Sequence, residues 1–354
     1  MLSRENFTIE HINQLKTKNC NDAGLIERTV FAFGLLEALV ETGLKFIFKG
    51  GSCLLLLLPA PLRLSTDIDI VVPPGTQIED YIVKARAFFP FIKAEEVIRK
   101  ANGGINKRHF KFFYNSRVAK DEPMFILLDV LYEENFYQKT VEKEIENSLL
   151  ITEGDNLSVT IPSVDCILGD KLTAFAPFTT GIEFGDKNME IMKQFFDINS
   201  LIDEFSDFEC LRNSYFRVSE TEIGYRRKEE GKTDLTPEKA LLDTLSSAIC
   251  IASRGKYLSN CFDHFLDGTR RVTSHIFSSD FSMEIASRYA PRIIYLTACL
   301  LTNTPFSKVD NQEKLLQETI SQEELRLIKG FRKLDPMAYG YLVKADRLLA
   351  GRHI

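Results

Sequence analysis

The feature that most restricts what this chain can fold into is a short alternating stretch, Asp67-Ile68-Asp69-Ile70-Val71-Val72, closed by Pro73-Pro74-Gly75. Alternation at period two predicts a strand with one apolar and one polar face, and it puts the carboxylates of Asp67 and Asp69 on the same side. Two carboxylates side by side repel unless cations stand between them. Hard oxygen donors of this kind favour Mg²⁺, which keeps waters and binds substrate phosphates. Taken alone, the stretch also fits an edge strand whose polar face is solvated while Ile68, Ile70 and Val72 face a core.

Its neighbours weigh toward chemistry. Upstream, Gly50-Gly51-Ser52 breaks a predicted strand over 45–48 and opens a short apolar helix over 53–58 that stops before Pro59 and Pro61. A glycine pair lets backbone approach a ligand closely, and a helix start offers unpaired N–H groups, which together suit a triphosphate. Strand-to-helix turns with glycines are also common without a ligand. Downstream, the strand predicted over 125–131 is apolar except for Asp129. A lone charge in a buried strand costs several kcal/mol unless it is paired or metal-bound, and a metal shared with Asp67 and Asp69 would supply the partner.

Around these motifs the order is strand, helix, strand, helix, strand, strand. Helices are predicted over 22–42, with Leu25, Val30, Phe33, Leu36 and Val40 at helical spacing and Gly43 as C-cap, and over 78–89; a further strand is predicted over 109–114. This order predicts an α+β fold, a small mixed or antiparallel sheet flanked by helices. Past Ser158-Val159-Thr160-Ile161 helix signals dominate. Ser163 can cap a helix running to about residue 175, a second covers 188–202, Thr236-Pro237 opens a third that reaches Gly255, and Ser321 with Glu324 forms a capping box for another. The acidic, poorly periodic stretch 203–209 is the candidate boundary, which divides the chain into domains 1–204 and 205–354, the second mainly helical.

Two charged residues in this helical part stand out. Val164, Ile167, Leu168, Leu172 and Phe175 form one apolar stripe with Lys171 in its middle, so that Lys171 either snorkels past the stripe or reaches into a cleft to bind phosphate. Asp197 lies away from the stripe of Met192, Phe195 and Phe196, and periodicity makes it an ordinary solvated residue.

Composition narrows the partners. At 354 residues, 44% hydrophobic and 27% charged, the chain is long and apolar enough for a full core, which excludes disorder and coiled coil. The longest apolar run, near 54–58, is far short of the roughly 20 residues of a membrane helix. With no signal-type apolar core at the start, a soluble cytoplasmic protein with no membrane partner is expected. Seven scattered cysteines (Cys20, Cys53, Cys166, Cys210, Cys250, Cys261, Cys299) contain no Cys-x-x-Cys pair and read as reduced, buried fillers. Five histidines (His11, His109, His264, His275, His353) show no metal-ligand spacing, which leaves carboxylates as the metal ligands. A net charge of −6 argues against coating nucleic acid by bulk electrostatics but not against gripping an end locally. Arg99-Lys100, Lys107-Arg108-His109 with Lys111, Tyr225-Arg226-Arg227-Lys228, Arg270-Arg271, and Arg326, Lys329, Arg332 and Lys333 are clusters that could line such a groove.

Lys49-Gly50-Gly51-Ser52 followed by Arg63-Leu64-Ser65-Thr66-Asp67-Ile68-Asp69 resembles the signature of the polymerase β-like nucleotidyltransferase superfamily. More narrowly it resembles the AbiEii/AbiGii family, which includes the MenT toxins of bacterial toxin-antitoxin and phage-defence systems. The resemblance covers about 46–201, and the stretch Thr179-Thr180-Gly181-Ile182-Glu183-Phe184-Gly185 lengthens the spacing between its last two motifs. It implies a polymerase β-like core and a transfer of NMP from an NTP to an acceptor hydroxyl. Gly50, Gly51, Ser52, Ser65 and Lys171 would bind the nucleotide, and Asp67, Asp69 and Asp129 would bind Mg²⁺ or Mn²⁺. Asp67, Asp69, Asp129, Lys171 and the late aspartate Asp197 would be the catalytic set, with Asp129 placed to act as general base. The family further implies an RNA acceptor, a tRNA 3′ end among them, and a cognate antitoxin. The competing readings are a nucleotidyltransferase acting on a small molecule of the aminoglycoside type or on protein hydroxyls, and a non-catalytic nucleotide-binding protein.

Overall fold

The computed structural model describes residues 1–19, 22–98, 106–119, 123–230, 234–277, 281–310 and 312–352. Cys20, Arg99, Lys100 and His353 lie outside the described residues. The chain folds as two compact units, the first made of Met1–Val164 with Ser274–Ser279 and the second of Asp165–Thr273 with Asp280–Ile354.

In the first unit α1 (Ile9–Asn19) and α2 (Ala23–Glu41) precede β1 (Ile47–Lys49), α3 (Leu54–Leu57), β2 (Ile68–Val72), α4 (Glu79–Ala85), β3 (Phe91–Glu96), β4 (Lys107–Tyr114), β5 (Met124–Tyr132), β6 (Thr140–Glu144) and β7 (Ser158–Pro162). α2 starts where Asp22 accepts from the Leu25 amide at 3.0 Å, an N-cap that satisfies one of the helix's unpaired donors. The first five strands make one sheet in the order β1-β2-β5-β4-β3, and β6 and β7 pair as a hairpin. Only β2 and β5 run parallel; the other pairs in the sheet are antiparallel, so the sheet is mixed as the motif order predicts.

Period-two burial divides that sheet cleanly. Phe48, Ile68, Ile70, Val72, Phe110, Phe112, Tyr114, Ile126, Leu128 and Val130 are buried on one face, where α2 packs on β2 and β5 and Phe31 lies 4.1 Å from the Tyr114 ring. Of the intervening residues, Asp69, Asp129, His109 and Lys111 point to the other face and are only half-buried, while Val71 and Leu131 at its far end are buried.

The second unit is helical: α5 (Val164–Ala174), α6 (Asn188–Ile202), α7 (Phe208–Glu230), α8 (Pro237–Ser253), α9 (Ser259–Val272), α10 (Met283–Thr302), the short α11 (Gln312–Leu315), α12 (Glu323–Arg326) and α13 (Phe331–Leu334), and α14 (Pro336–Leu349). α8 begins as its sequence predicts, with Thr236 accepting from the Lys239 amide at 3.2 Å and proline in the first turn. The capping box expected at Ser321 and Glu324 does not form. Gln322 stands at the N-cap of α12 without a side-chain bond, and the Ser321 hydroxyl donates instead to Asp346 at 2.9 Å, because that buried carboxylate gathers the Ser321 and Gln322 amides as well. The acidic stretch 203–209 forms the turn between α6 and α7 over 203–207 and the start of α7, and Asp165 accepts from the amides of Ser206 and Asp207 at 2.9 and 3.0 Å. Among the described residues no helix is long and apolar enough to cross a membrane. The six described cysteines are free thiols, all buried.

Candidate active site

β1 ends at Lys49, and Gly50 turns the chain at φ +80°, a left-handed conformation that glycine adopts without strain. A Cβ on Gly50 would lie 2.2 Å from Oδ2 of Asp69, and one on Gly51 would lie 2.5 Å from Nη2 of Arg63 and 2.9 Å from Oγ of Ser65. The glycine pair is therefore the surface against which Asp69, Arg63 and Ser65 are packed. Ser52, fully buried, donates its hydroxyl to the Asp67 carbonyl at 2.5 Å. The Gly-Gly-Ser turn thus sets where β2 begins, and with it the height of both aspartates.

Strand register builds the next layer. Lys49 stands opposite Asp69 across β1 and β2, Asp69 opposite Asp129 across β2 and β5, and Asp129 opposite His109 across β5 and β4. Register partners project to the same face, so an ammonium, two carboxylates and an imidazole form one row across four strands. His109 Nδ1 lies 2.7 Å from Asp129 Oδ1, with the two side chains 14% and 30% exposed. The expectation of a lone charge buried in β5 is thereby corrected: Asp129 is on the half-open face, and its partner within the chain is His109. Asp67, two residues before Asp69 and 47% exposed at its side chain, has Nη2 of Arg28 from α2 at 3.6 Å. The Nε of that arginine is buried without a hydrogen-bond partner.

Among the described residues, no group of three or more His, Cys, Asp or Glu side chains converges closely enough to hold a metal ion by itself. Mg²⁺ does not require such a cage, since it is commonly held by one or two carboxylates with water and substrate phosphates completing its shell. Asp69 and Asp129, adjacent and on one face, have the donor chemistry for that mode of binding.

Over residues 34–270 the sequence matches the family described as nucleotidyl transferase AbiEii toxin of type IV toxin-antitoxin systems. The chain belongs to this family. No curated protein matches it. Membership in AbiEii makes the chain a nucleotidyltransferase toxin of a type IV toxin-antitoxin system, with a nucleotide substrate and an antitoxin as partner. The matched span contains the Gly-Gly-Ser turn, the four-strand row, Lys171 and Asp197.

The last two lie in the second unit of this AbiEii chain. Lys171 Nζ on α5 pairs with Asp197 Oδ2 on α6 at 2.9 Å, and the side chains are only 7% and 2% exposed. Lys171 therefore does not snorkel to solvent. Asp197 is not solvated either, because α6 is buried nearly all round: Ile191, Met192, Phe195, Ile198, Leu201 and Ile202 are also inside, so no single apolar stripe marks its hidden side. The lengthening stretch 179–185 folds back on the end of α5, with the Gly181 amide donating to the Ala176 carbonyl at 2.8 Å and the Thr180 hydroxyl to the Thr173 carbonyl at 2.9 Å. A Cβ on Gly181 would fall 2.4 Å from the Ala174 carbonyl oxygen, so the turn closes only over glycine.

Strand alternation also splits the basic cluster at 107–111. Arg108 turns from the row and donates to Glu96 at 2.7 Å and Glu79 at 2.5 Å, bonds that hold both carboxylates below their ordinary range. His109 and Lys111 share the carboxylate face. Arg226 pairs with Glu183 at 2.9 Å, Arg227 donates to the Leu235 carbonyl at 3.0 Å, and Arg271 donates to the Asp186 carbonyl at 3.1 Å, so these arginines serve the fold. His109 was expected only as part of a basic cluster lining a groove, and Arg28 was not among the expected site residues. Only the register of β4 on β5 brings His109 to Asp129, and a helix-borne arginine carries no local signal of the loop it meets.

Proposed function

We propose that this AbiEii chain transfers a nucleoside monophosphate from an NTP to the 3′ hydroxyl of an RNA, a tRNA 3′ end being the narrowest form of that acceptor, and that it does so as the toxin of a phage-defence pair. The observation that carries the reading is the register adjacency of Asp69 and Asp129 beneath the Gly50 turn, with a cation and an imidazole closing the row at either end. Asp69 and Asp129, with Asp67 alongside, would hold Mg²⁺ or Mn²⁺. Bound there, such an ion would supply the positive charge that offsets the charge developing as pyrophosphate leaves.

The residues of the chain do the rest. The Gly50-Gly51 turn, with Ser52 and Ser65 packed behind it, would offer its backbone N–H groups to the phosphates, and Lys49 sets a positive charge at the end of the row. His109 fixes one oxygen of Asp129, which orients the carboxylate. Asp129 takes the proton of the attacking hydroxyl as general base.

The test is incubation of purified protein with Mg²⁺, each α-labelled NTP and total bacterial RNA, beside Asp69→Asn and Asp129→Asn. Label should enter RNA, and each variant should lower the rate by about 1000-fold, the equivalent of roughly 4 kcal/mol, with unchanged thermal unfolding. Label found in protein or in a small molecule would replace the acceptor. Wild-type protein that transfers no label to any acceptor would overturn the reading.

A further inference from the structure

The face that carries the row continues past it. Two and four residues back along β5 from Asp129 are Leu127 and Phe125, and two and four residues on along β4 from His109 are Lys111 and Phe113. Lys111 stands opposite Leu127, Phe113 opposite Phe125, and Lys93 of the edge strand β3 opposite Phe113. The rings of Phe113 and Phe125 are 5.8 Å apart at 57°, the Lys111 ammonium lies 4.2 Å from the centre of the Phe125 ring, and that of Lys93 lies 5.6 Å from the Phe113 ring. Both rings and Lys111 are half-buried, and Lys93 is exposed and also pairs with Glu95.

These rings do not build the core. The core face of the same two strands is filled by Phe110, Phe112, Tyr114, Ile126 and Leu128, and Phe113 and Phe125 are on the opposite side. Aromatic faces next to mobile ammonium groups are the two elements that hold a single strand of nucleic acid, one stacking bases and the other taking phosphates. At about 3.3 Å per residue the rings begin roughly 13 Å from Asp129, a distance that an extended strand of a few nucleotides covers.

We infer that Phe125, Phe113 and Lys111 form an acceptor track: bases preceding the terminal nucleotide stack on the two rings and a phosphate between them meets Lys111. Paired bases in a duplex present no free face to a side chain, so the acceptor taken by this track is a 3′ end with several unpaired nucleotides. The inference rests on RNA being the acceptor, and it adds which part of the RNA is held and by which residues.

The experiment measures binding of a labelled single-stranded RNA oligonucleotide, and of the same sequence as a blunt duplex, to full-length wild-type protein, Phe113→Leu/Phe125→Leu and Lys111→Gln. Nucleotidyl transfer is followed on the same samples, and thermal unfolding confirms that each variant is folded. Leucine keeps the face apolar while removing the stacking surface. The expected result is preference for the single strand, an affinity at least about 10-fold weaker in the phenylalanine double variant with NTP affinity unchanged, and a salt dependence reduced by about one ion in Lys111→Gln. Wild-type affinity in both variants would overturn the track while leaving RNA transfer standing. Wild-type protein that moves label but binds no RNA would overturn both. Variants that keep RNA affinity but lose capture by the antitoxin would make the rings a protein contact and overturn the inference.

Discussion

At Gly50 two constraints coincide. Its φ of +80° disfavours any side chain, and the place a Cβ would take is held by the Asp69 carboxylate. Gly43 has the same backbone demand, φ +78°, with nothing within 4 Å of its Cβ position. Gly50→Ala and Gly43→Ala should therefore both destabilise by roughly 1–3 kcal/mol in urea unfolding, but only Gly50→Ala should displace Asp69 and abolish nucleotidyl transfer. Equal loss of transfer in the two variants would mean that the turn serves the fold alone. At this scale the site was half legible. Asp67, Asp69 and Asp129 stand out because carboxylates interrupt apolar strands, whereas the partners His109 and Arg28 depend on contacts far apart in sequence.

Among elements, legibility followed how one-sided each is. β2 and β4 alternate and β5 is an apolar run broken by one carboxylate; all three were predicted within a residue or two, as was α6. β3 escaped because an edge strand has little to bury, and Ile92 in it is exposed. The burial of Asp197 escaped for the opposite reason, since a helix enclosed on all sides has no polar face to read. The α5–α6 ion pair shows what such enclosure demands: either charge alone would be costly, and together they are satisfied at 2.9 Å. Lys171→Met should cost about 3–5 kcal/mol in urea unfolding because it takes the cation away from a buried carboxylate, and adding Asp197→Leu should recover most of that loss. Transfer measured in the refolded double variant separates a stabilising role from a chemical one. Full activity there would remove both residues from the reaction.

On the scale of the whole molecule, chain order and structural units do not coincide. The chain leaves the first unit at Val164 and returns to it at Ser274–Ser279 before completing the second. The returning segment clasps the motif loop: the Leu64 amide donates to the His275 carbonyl at 2.6 Å, the Phe277 amide donates to the Leu62 carbonyl at 3.0 Å, and Arg63 and Ile276 are bridge partners. No sequence signal announced this return, because three residues with no repeat or periodicity, His275, Ile276 and Phe277, carry it. Ile276, 3% exposed, anchors the clasp. Ile276→Ala should cost about 2–4 kcal/mol of local stability and raise amide exchange at Leu64 and Phe277 together by at least 10-fold in hydrogen-exchange measurements, while the β4–β5 amides keep their protection. Independent exchange of the two amides would show that the bridge is not a unit.

The clasp also sets an order in time. Residues 62–64 lead directly into Ser65, Asp67 and Asp69, yet what secures them is made only after the ribosome has passed Phe277. Through most of its synthesis the nascent toxin carries its aspartates without the tether on their approach, and a translation product that stops early never acquires it.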